Sequence, residues 1–467
     1  MTIRRWMVSV LGLSALLGHG ATSVSAMTLE EVASLAVKKN PEILAASENR
    51  ESVAHQVRQA WAGYLPNLNA SLGRGKEWSD NSTTRGTGDH ELKQTHTEAS
   101  LTLNQMLFDG FNVKSNVEKA QAQLSSASFG LERTTETVLL NVVDTYLEVL
   151  KREELLELVK DNVRLHQEIL GKVKAKAAGG AGNDADVQQT ETRLALASAN
   201  HASSHGAWRN AFTRFERLVG QAPDKLQKAN VPFKLLPETL EKAVDQAKLH
   251  HPQILAAQAD MEAAESDVGA ARSGLFPQLS LEVSVSNNDN IGGVPSYNKN
   301  ALALLRLNQN LYRGGADEAR IRASQRRIDQ SRETLELARA TIVEGVKAAW
   351  DNLQVSKDRI QYLNKHADIS RKVVQAYHDQ FKMGKRTLLD VLNSENELFA
   401  AKSALASEKL THEQNAYRLL SAMGSLTSTM GFEEKPMAAN EEPSWATRIF
   451  KSDEKSASTP TPPAAKP

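Results

Sequence analysis

The stretch Lys39-Asn40-Pro41-Glu42-Ile43-Leu44-Ala45-Ala46 returns far downstream as His250-His251-Pro252-Gln253-Ile254-Leu255-Ala256-Ala257. The same offset of 211 carries Thr28-Leu29-Glu30 onto Thr239-Leu240-Glu241, and Leu65-Pro66-Asn67-Leu68 onto Phe276-Pro277-Gln278-Leu279. Further along the offset becomes 204. Leu103-Asn104-Gln105 returns as Leu307-Asn308-Gln309, Asp186-Val187 as Asp390-Val391, and Val219-Gly220 as Met423-Gly424. Seven residues are therefore missing from the second copy, between Leu279 and Leu307. Loops absorb such deletions and packed elements do not, so each copy should carry a loop in that window. A unit of about 200 residues is far longer than a solenoid repeat of roughly 20–50. The chain is a duplicated domain, and any fold proposed for it must be built from two similar halves.

Each copy opens with an amphipathic helical segment, Thr28 to about Ala62 and Thr239 to about Ser273. Thr28 and Glu31 have capping-box spacing. Pro41 and Pro252 should divide each segment into a short and a longer helix, with the proline in the first turn of the second. Alternating runs follow: Leu68, Ala70, Leu72 and Ala99, Leu101, Leu103, then Leu279, Leu281, Val283, Val285 and Ala301, Ala303, Leu305, Leu307. Period-two alternation predicts strands with one apolar face. Polar loops are expected at about Gly75 to Thr95 and Ser286 to Lys299, making each strand pair a long hairpin. From Phe111 to about Ala178 there is no proline. Val142, Val149, Leu156, Val163 and Leu170 recur every seven residues, matched by Val346, Leu353, Ile360, Ala367 and Val374. A sustained heptad marks a coiled-coil seam, and a helix of about 68 residues would be roughly 100 Å long. Breaks near Gly179-Gly180-Ala181-Gly182 and Met383-Gly384 predict a return helix running antiparallel.

Lys+Arg equals Asp+Glu across the 467 residues, so no basic excess points to nucleic acid. The chain has no cysteine, which excludes disulfides, thiolate metal sites and a lipidated N-terminal Cys. Arg4 and Arg5, an apolar run from Trp6 to Leu17, and Val24-Ser25-Ala26 make a signal-peptide pattern with Met27 or a neighbour as mature start. No later stretch is apolar enough for a spanning helix, and the only other spanning structure is a closed β-barrel. The expected organisation is a signal peptide at 1–26, a first repeat at 27–220, a second at 221–431 and a disordered tail at 432–467.

Four strands cannot close a membrane barrel, because the smallest have about eight. If the strands enter a membrane, the chain must oligomerise. Two copies would supply eight strands and three would supply twelve. The order of elements, the tandem duplication, the NPEI/HPQI motif, the paired L/F-P-x-L entries into strands and the stretch MGKRTLLDVLNSE closely resemble the TolC family of outer-membrane channel-tunnels. The likeness spans about Met27 to Gly431. It implies a mixed α and β fold, with a transmembrane β-barrel of four strands per protomer joined to an α-barrel of long coiled-coil helices. It also implies a homotrimer in the cell outer membrane, with the helical tunnel and the tail in the periplasm. Outer-membrane lipid, a periplasmic adaptor (membrane fusion protein) and an inner-membrane ABC transporter or efflux pump would be the partners, with no cofactor and no nucleic acid. Within the family the sequence looks most like the branch serving type I secretion, including exporters of large adhesins. A multidrug-efflux duct is the alternative. A periplasmic adaptor is a third class, disfavoured by two helical sets alternating with just two hairpins.

The resemblance also places a periplasmic gate. Its G-x-R-T-x-x-D pattern falls on Gly384, Arg386, Thr387 and Asp390, and the repeat supplies Asp186 in the first copy with Asp184 nearby. Threefold symmetry would gather Asp390 carboxylates round the axis, where like charges focus cations and raise one another's pKa. Asn393 stands where a second acid can, which argues against a double acidic ring. Phe381 stands where the family's gating tyrosine falls, so the gate is expected to be held differently or more weakly. The plainer alternative makes Arg386 and Asp390 an ordinary i,i+4 helix pair. Gly179 to Gly182 lacks the Gly-Lys-Ser/Thr of a phosphate loop and reads as a helix-helix turn. His250-His251 has no acid cluster nearby and reads as an exposed helix end rather than a metal site. With neither G-x-S-x-G nor H-E-x-x-H, nothing in the sequence points to an enzyme.

Overall fold

A computed structural model of the chain describes residues 26–432, apart from 87, 89, 90, 181, 224 and 294. The expected signal peptide, save Ala26, and the expected tail, save Phe432, lie outside the described residues.

The repeated octapeptide is a stop-and-restart device. Helix α1 (Leu29–Lys39) begins at a reciprocal box in which Thr28 Oγ1 accepts from Glu31 N–H and the Glu31 carboxylate accepts from Thr28 N–H. It ends at Asn40, which at once caps α2 (Pro41–Trp61) by accepting from Glu42 N–H at 2.8 Å. Pro41 occupies the first turn, where a missing N–H costs nothing. The second copy repeats the stop and restart in α6 (Leu240–His250) and α7 (Pro252–Arg272), but Lys242 replaces Glu31 and the Thr239 cap is one-way. There His251 Nδ1 takes the place of the Asn40 oxygen and accepts from Gln253 N–H at 3.1 Å. The expected exposed helix end is therefore half right. His250 is exposed, but His251 is buried, because a cap between two packed helices cannot face water.

Strands β1 (Asn67–Ser79), β2 (Leu92–Phe108), β3 (Gln278–Asp289) and β4 (Tyr297–Asn308) form one antiparallel sheet in that order. The strands run further than their hydrophobic alternation. Pairing continues to Ser79↔Leu92 and Asp289↔Tyr297, well inside the windows expected to be loops. There Arg74, Lys76, Asn287 and Lys299 interrupt the apolar face, so the period-two signal fades while the backbone ladder persists. The true connections are 80–91, holding the short helix α3 (Ser82–Gly86), and 290–296. The second connection is five residues shorter and its hairpin one rung shorter, which accounts for the seven missing residues. One face of the sheet exposes Leu68, Leu72, Leu101, Val285, Leu305 and Leu307. The other carries Asn69, Ser71, Ser100, Thr102, Ser284 and Ser286 as register neighbours, with Leu302 and Leu304 of β4 as apolar exceptions. Both edge strands, β1 and β4, lack an outer partner in the single chain.

The long helices match the expectation: α4 (Asn112–Ala178) and α8 (Ala316–Lys382) each have 67 residues. Their returns are α5 (Asp184–Val219) and α9 (Leu388–Ala422). Helices α2 and α5 pack along α4, α7 and α9 pack along α8, and α7 and α9 also pack on α4, joining the two copies. The heptad seam is buried at Val142, Val149 and Leu156 and at Val346 and Leu353. Lower down in the first copy Val163 and Leu170 are only partly buried, and Asn162, His166 and Ile169 point inward instead. A straight helix drifts about 20° per heptad against a strict seven-residue repeat, which suffices to rotate neighbouring positions into the seam.

The main core sits midway along the long helices. There α1, α6, the end of α5 and the short α10 (Leu426–Thr429) gather around Val138, Leu139, Tyr146 and Val346. The Tyr146 hydroxyl donates towards the carbonyls of Gln227 (2.6 Å) and Met27 (3.0 Å), tying the N-terminus and the inter-repeat segment to α4.

Candidate functional site

At the far end from the sheet, two turns close the helical hairpins. Both use a glycine in the left-handed region, Gly180 (φ 75°) and Gly384 (φ 73°), where a side chain would be strained. Each return helix is then capped at its start. In the first copy Asn183 accepts from Asp186 N–H at 2.7 Å. In the second, Thr387 Oγ1 accepts from Asp390 N–H at 3.2 Å while the Asp390 carboxylate accepts from Thr387 N–H (3.1 Å) and its hydroxyl (2.9 Å). Asp390 is thus the acid of a capping box. The Thr387 backbone N–H, then its hydroxyl, and last the Arg386 charge hold its carboxyl below the usual carboxylate range.

The Arg386–Asp390 pair is loose, at 3.9 Å. Arg386 is held elsewhere: its guanidinium lies 4.3 Å from the Tyr377 ring centroid, and its Nε donates to Gln380 at 3.1 Å. Phe381 packs with Ile169, Leu388 and Leu392 in a small apolar cluster, with Lys176 Nζ 5.4 Å from its ring. Asn393 accepts a hydrogen bond from Arg193 on α5 at 3.0 Å, linking the two copies. Asp184 and Asp186 sit in the first turn of α5, exposed and half-buried respectively. Of the six expected gate residues, Arg386 and Asp390 are neighbours on one turn, while Asn393, Phe381 and the first-copy acids each have separate surroundings.

Sequence reasoning passed over Tyr377, Gln380 and Arg193. It also passed over two cross-hairpin pairs just inside the turns, Lys174–Glu191 (2.7 Å) and His378–Glu395 (2.7 Å). These pairs are related by the same offset of 204, so scanning the repeat for complementary partners across each hairpin would have found them. His166 is buried behind them. Burial, helped by Arg193 and opposed by Glu395, lowers its pKa and favours the neutral ring. Among the described residues no three His, Asp or Glu side chains converge as a metal site. What this end offers is a pair of acid-bearing helix turns cross-linked within and between the two copies.

The model of the outer membrane efflux protein family matches twice, at residues 32–221 and 243–425. Its two matches coincide with the two copies. Outer membrane efflux protein BepC of Brucella suis is 28% identical over 372 residues, covering 79% of each chain. Alkaline protease secretion protein AprF of Pseudomonas aeruginosa is 25% identical over 419 residues, covering 88% of this chain and 86% of AprF. Among solved structures, the outer membrane protein VceC of Vibrio cholerae superposes with a TM-score of 0.73 at 17% identity, covering 87% of this chain and 97% of VceC. The duplicated chain of hairpins and paired long helices belongs to the outer membrane efflux protein family, the TolC-like channels of the outer membrane.

Proposed function

We propose that this protein is the outer-membrane exit duct of a tripartite type I secretion system. It would pass unfolded protein, a large adhesin among the candidate cargoes, from an inner-membrane ABC transporter and a periplasmic adaptor to the exterior. One observation carries the duct: a sheet with one apolar and one mainly polar face runs into two helices of 67 residues each. Three copies would pair every β1 edge with a β4 edge and close a twelve-stranded barrel, removing edges that lipid cannot tolerate. The helices would prolong it by about 100 Å. Such a duct performs no bond chemistry. Its work is to stay closed, and to select by charge when open, through the Asp390 turn and the Arg193–Asn393 link. The likeness to AprF along nearly the whole chain supports protein as the cargo. The likeness to BepC supports a second reading, an efflux duct for small molecules.

A clean gene deletion separates the two. Large secreted proteins are assayed at the surface and in the medium, beside drug and detergent susceptibility. Loss of a secreted protein with normal susceptibility is the expected result. Hypersensitivity with secretion intact would replace the secretion reading with the efflux one.

A further inference from the structure

The apolar face of the sheet ends abruptly towards the hairpin loops, and every strand contributes to the change. Ala70, Leu101, Val285 and Ala301 are partners across one rung. The next rung on the same face is Leu72, Ala99, Asn287 and Lys299, and the one beyond is Arg74, Thr97, Asp289 and Tyr297. The first hairpin continues with Lys76 opposite Thr95 and Trp78 opposite Lys93. Four cations therefore stand in one band directly above the lipid-facing surface. All four are exposed, and among the described residues none is ion-paired. Lys76 Nζ donates to Thr95 Oγ1 at 2.8 Å. Lys93 and Lys299 lie over the rings of Trp78 (5.9 Å) and Tyr297 (5.1 Å). Asp289 is the one acid on these rungs.

The opposite end of this face, next to the helices, has Gln105, Leu279 and Leu307 and no cation. The helices are periplasmic, so the basic band lies at the outer leaflet alone. Aromatic residues belong at a membrane–water boundary, where their rings sit at headgroup level. Unpaired cations at that level need anions from the lipid. The lipid of that leaflet is a phosphorylated glycolipid.

We propose that Arg74, Lys76, Lys93 and Lys299 form a binding site for the phosphate groups of outer-leaflet glycolipid, the lipid A end of lipopolysaccharide. The site occurs once per protomer. Trp78 and Tyr297 hold two of the ammonium groups at phosphate height. The proposal rests on the outer-membrane placement of the sheet and is independent of the cargo, so the deletion experiment cannot decide it.

The test titrates the full-length purified protein in detergent with lipid A, dephosphorylated lipid A or phosphatidylglycerol, and reads bound lipid by native mass spectrometry. A basic residue near a lipid surface contributes about a fivefold change in affinity. Lys299→Gln should therefore weaken lipid A binding about fivefold, and the combined Arg74→Gln, Lys76→Gln, Lys93→Gln, Lys299→Gln protein at least a hundredfold, or about four such steps. Dephosphorylated lipid A should bind the unaltered protein as weakly as the combined variant binds lipid A, a comparison that needs no mutation. Equal affinity for lipid A with and without phosphates overturns the proposal, and so does an unchanged affinity in the variants. Phosphatidylglycerol binding as tightly as lipid A would overturn the choice of glycolipid.

Discussion

Asp390 caps α9 and, in the proposed duct, also places a charge at the tunnel end, and substitutions can separate the two roles. The Asp390 carboxylate accepts from Thr387 N–H and hydroxyl, and Thr387 Oγ1 accepts from Asp390 N–H. Loss of a capping side chain costs about 1 kcal/mol. Thr387→Ala and Asp390→Ala should each expose the first turn of α9 by that amount, raising hydrogen exchange at its amides about fivefold. Asp390→Asn keeps an amide oxygen in the accepting position and should stay within about twofold of the parent. Charge selectivity should sort the variants differently. In planar bilayers Asp390→Asn and Asp390→Ala should both lower cation preference and block by multivalent cations, whereas Thr387→Ala should leave both unchanged. Selectivity that follows the cap, lost in Thr387→Ala and kept in Asp390→Asn, would refute the acidic ring and leave Asp390 a structural residue.

Gly220 and Gly424 are equivalent and both left-handed (φ 81° and 71°), but a Cβ on Gly424 would meet Pro252 Cδ at 2.7 Å and His251 Cα at 2.9 Å, while Gly220 is open. Gly220→Ala should cost about 1–2 kcal/mol for conformation alone, and Gly424→Ala about 1–3 kcal/mol more for overpacking. Equal loss in helix melting by circular dichroism would mean that the contact yields freely. Glu136 accepts from Thr427 N–H at 2.9 Å, and burial pushes its carboxyl up to about 7. Its folded pKa lies above the ordinary 4.5, so its contribution is full below that value and is lost as pH rises through about 7. Glu136→Gln should therefore melt higher than the parent at pH 8 and similarly at pH 4.5; identical pH dependence in both would contradict the assignment. His251 behaves oppositely. Burial, then the Arg133 charge, pushes it down to about 4, so its contribution is full above the ordinary 6.5 and is lost as pH falls through about 4. His251→Asn copies the Asn40 cap and should flatten the loss of stability between pH 6.5 and pH 4, read by the same melting experiment.

Much of this architecture was legible because it is local or repeated. Pro41 and Pro252 marked their helix starts through chemistry within one turn, and the 204 offset placed both long helices residue for residue. Strand ends were less legible, since alternation reports burial on one face and not hydrogen bonding. Ser79↔Leu92 pairs where the alternation has already lapsed. His251 could not be read as buried from its neighbours, because what covers it is Gly424, about 170 residues away in sequence. The surroundings of the proposed entrance residues were not legible in the sequence. Phe381 occupies the family position, but the ring that meets Arg386 belongs to Tyr377, one helical turn earlier, and Asn393 gains meaning only from Arg193 on another helix. Such pairings are set by tertiary placement and leave no trace in spacing.

The equal length of α4 and α8 carries an evolutionary consequence. Since the gene was duplicated, the two halves have diverged in the length of the loop between their strands, yet their long helices still count the same number of residues. A seven-residue insertion in one alone would push its turn about 10 Å beyond the other, leaving a notched rim where partners expect a level one. Changes in reach across the periplasm must therefore arrive in pairs, one per half, and single-copy length variants should be purged however well each helix folds.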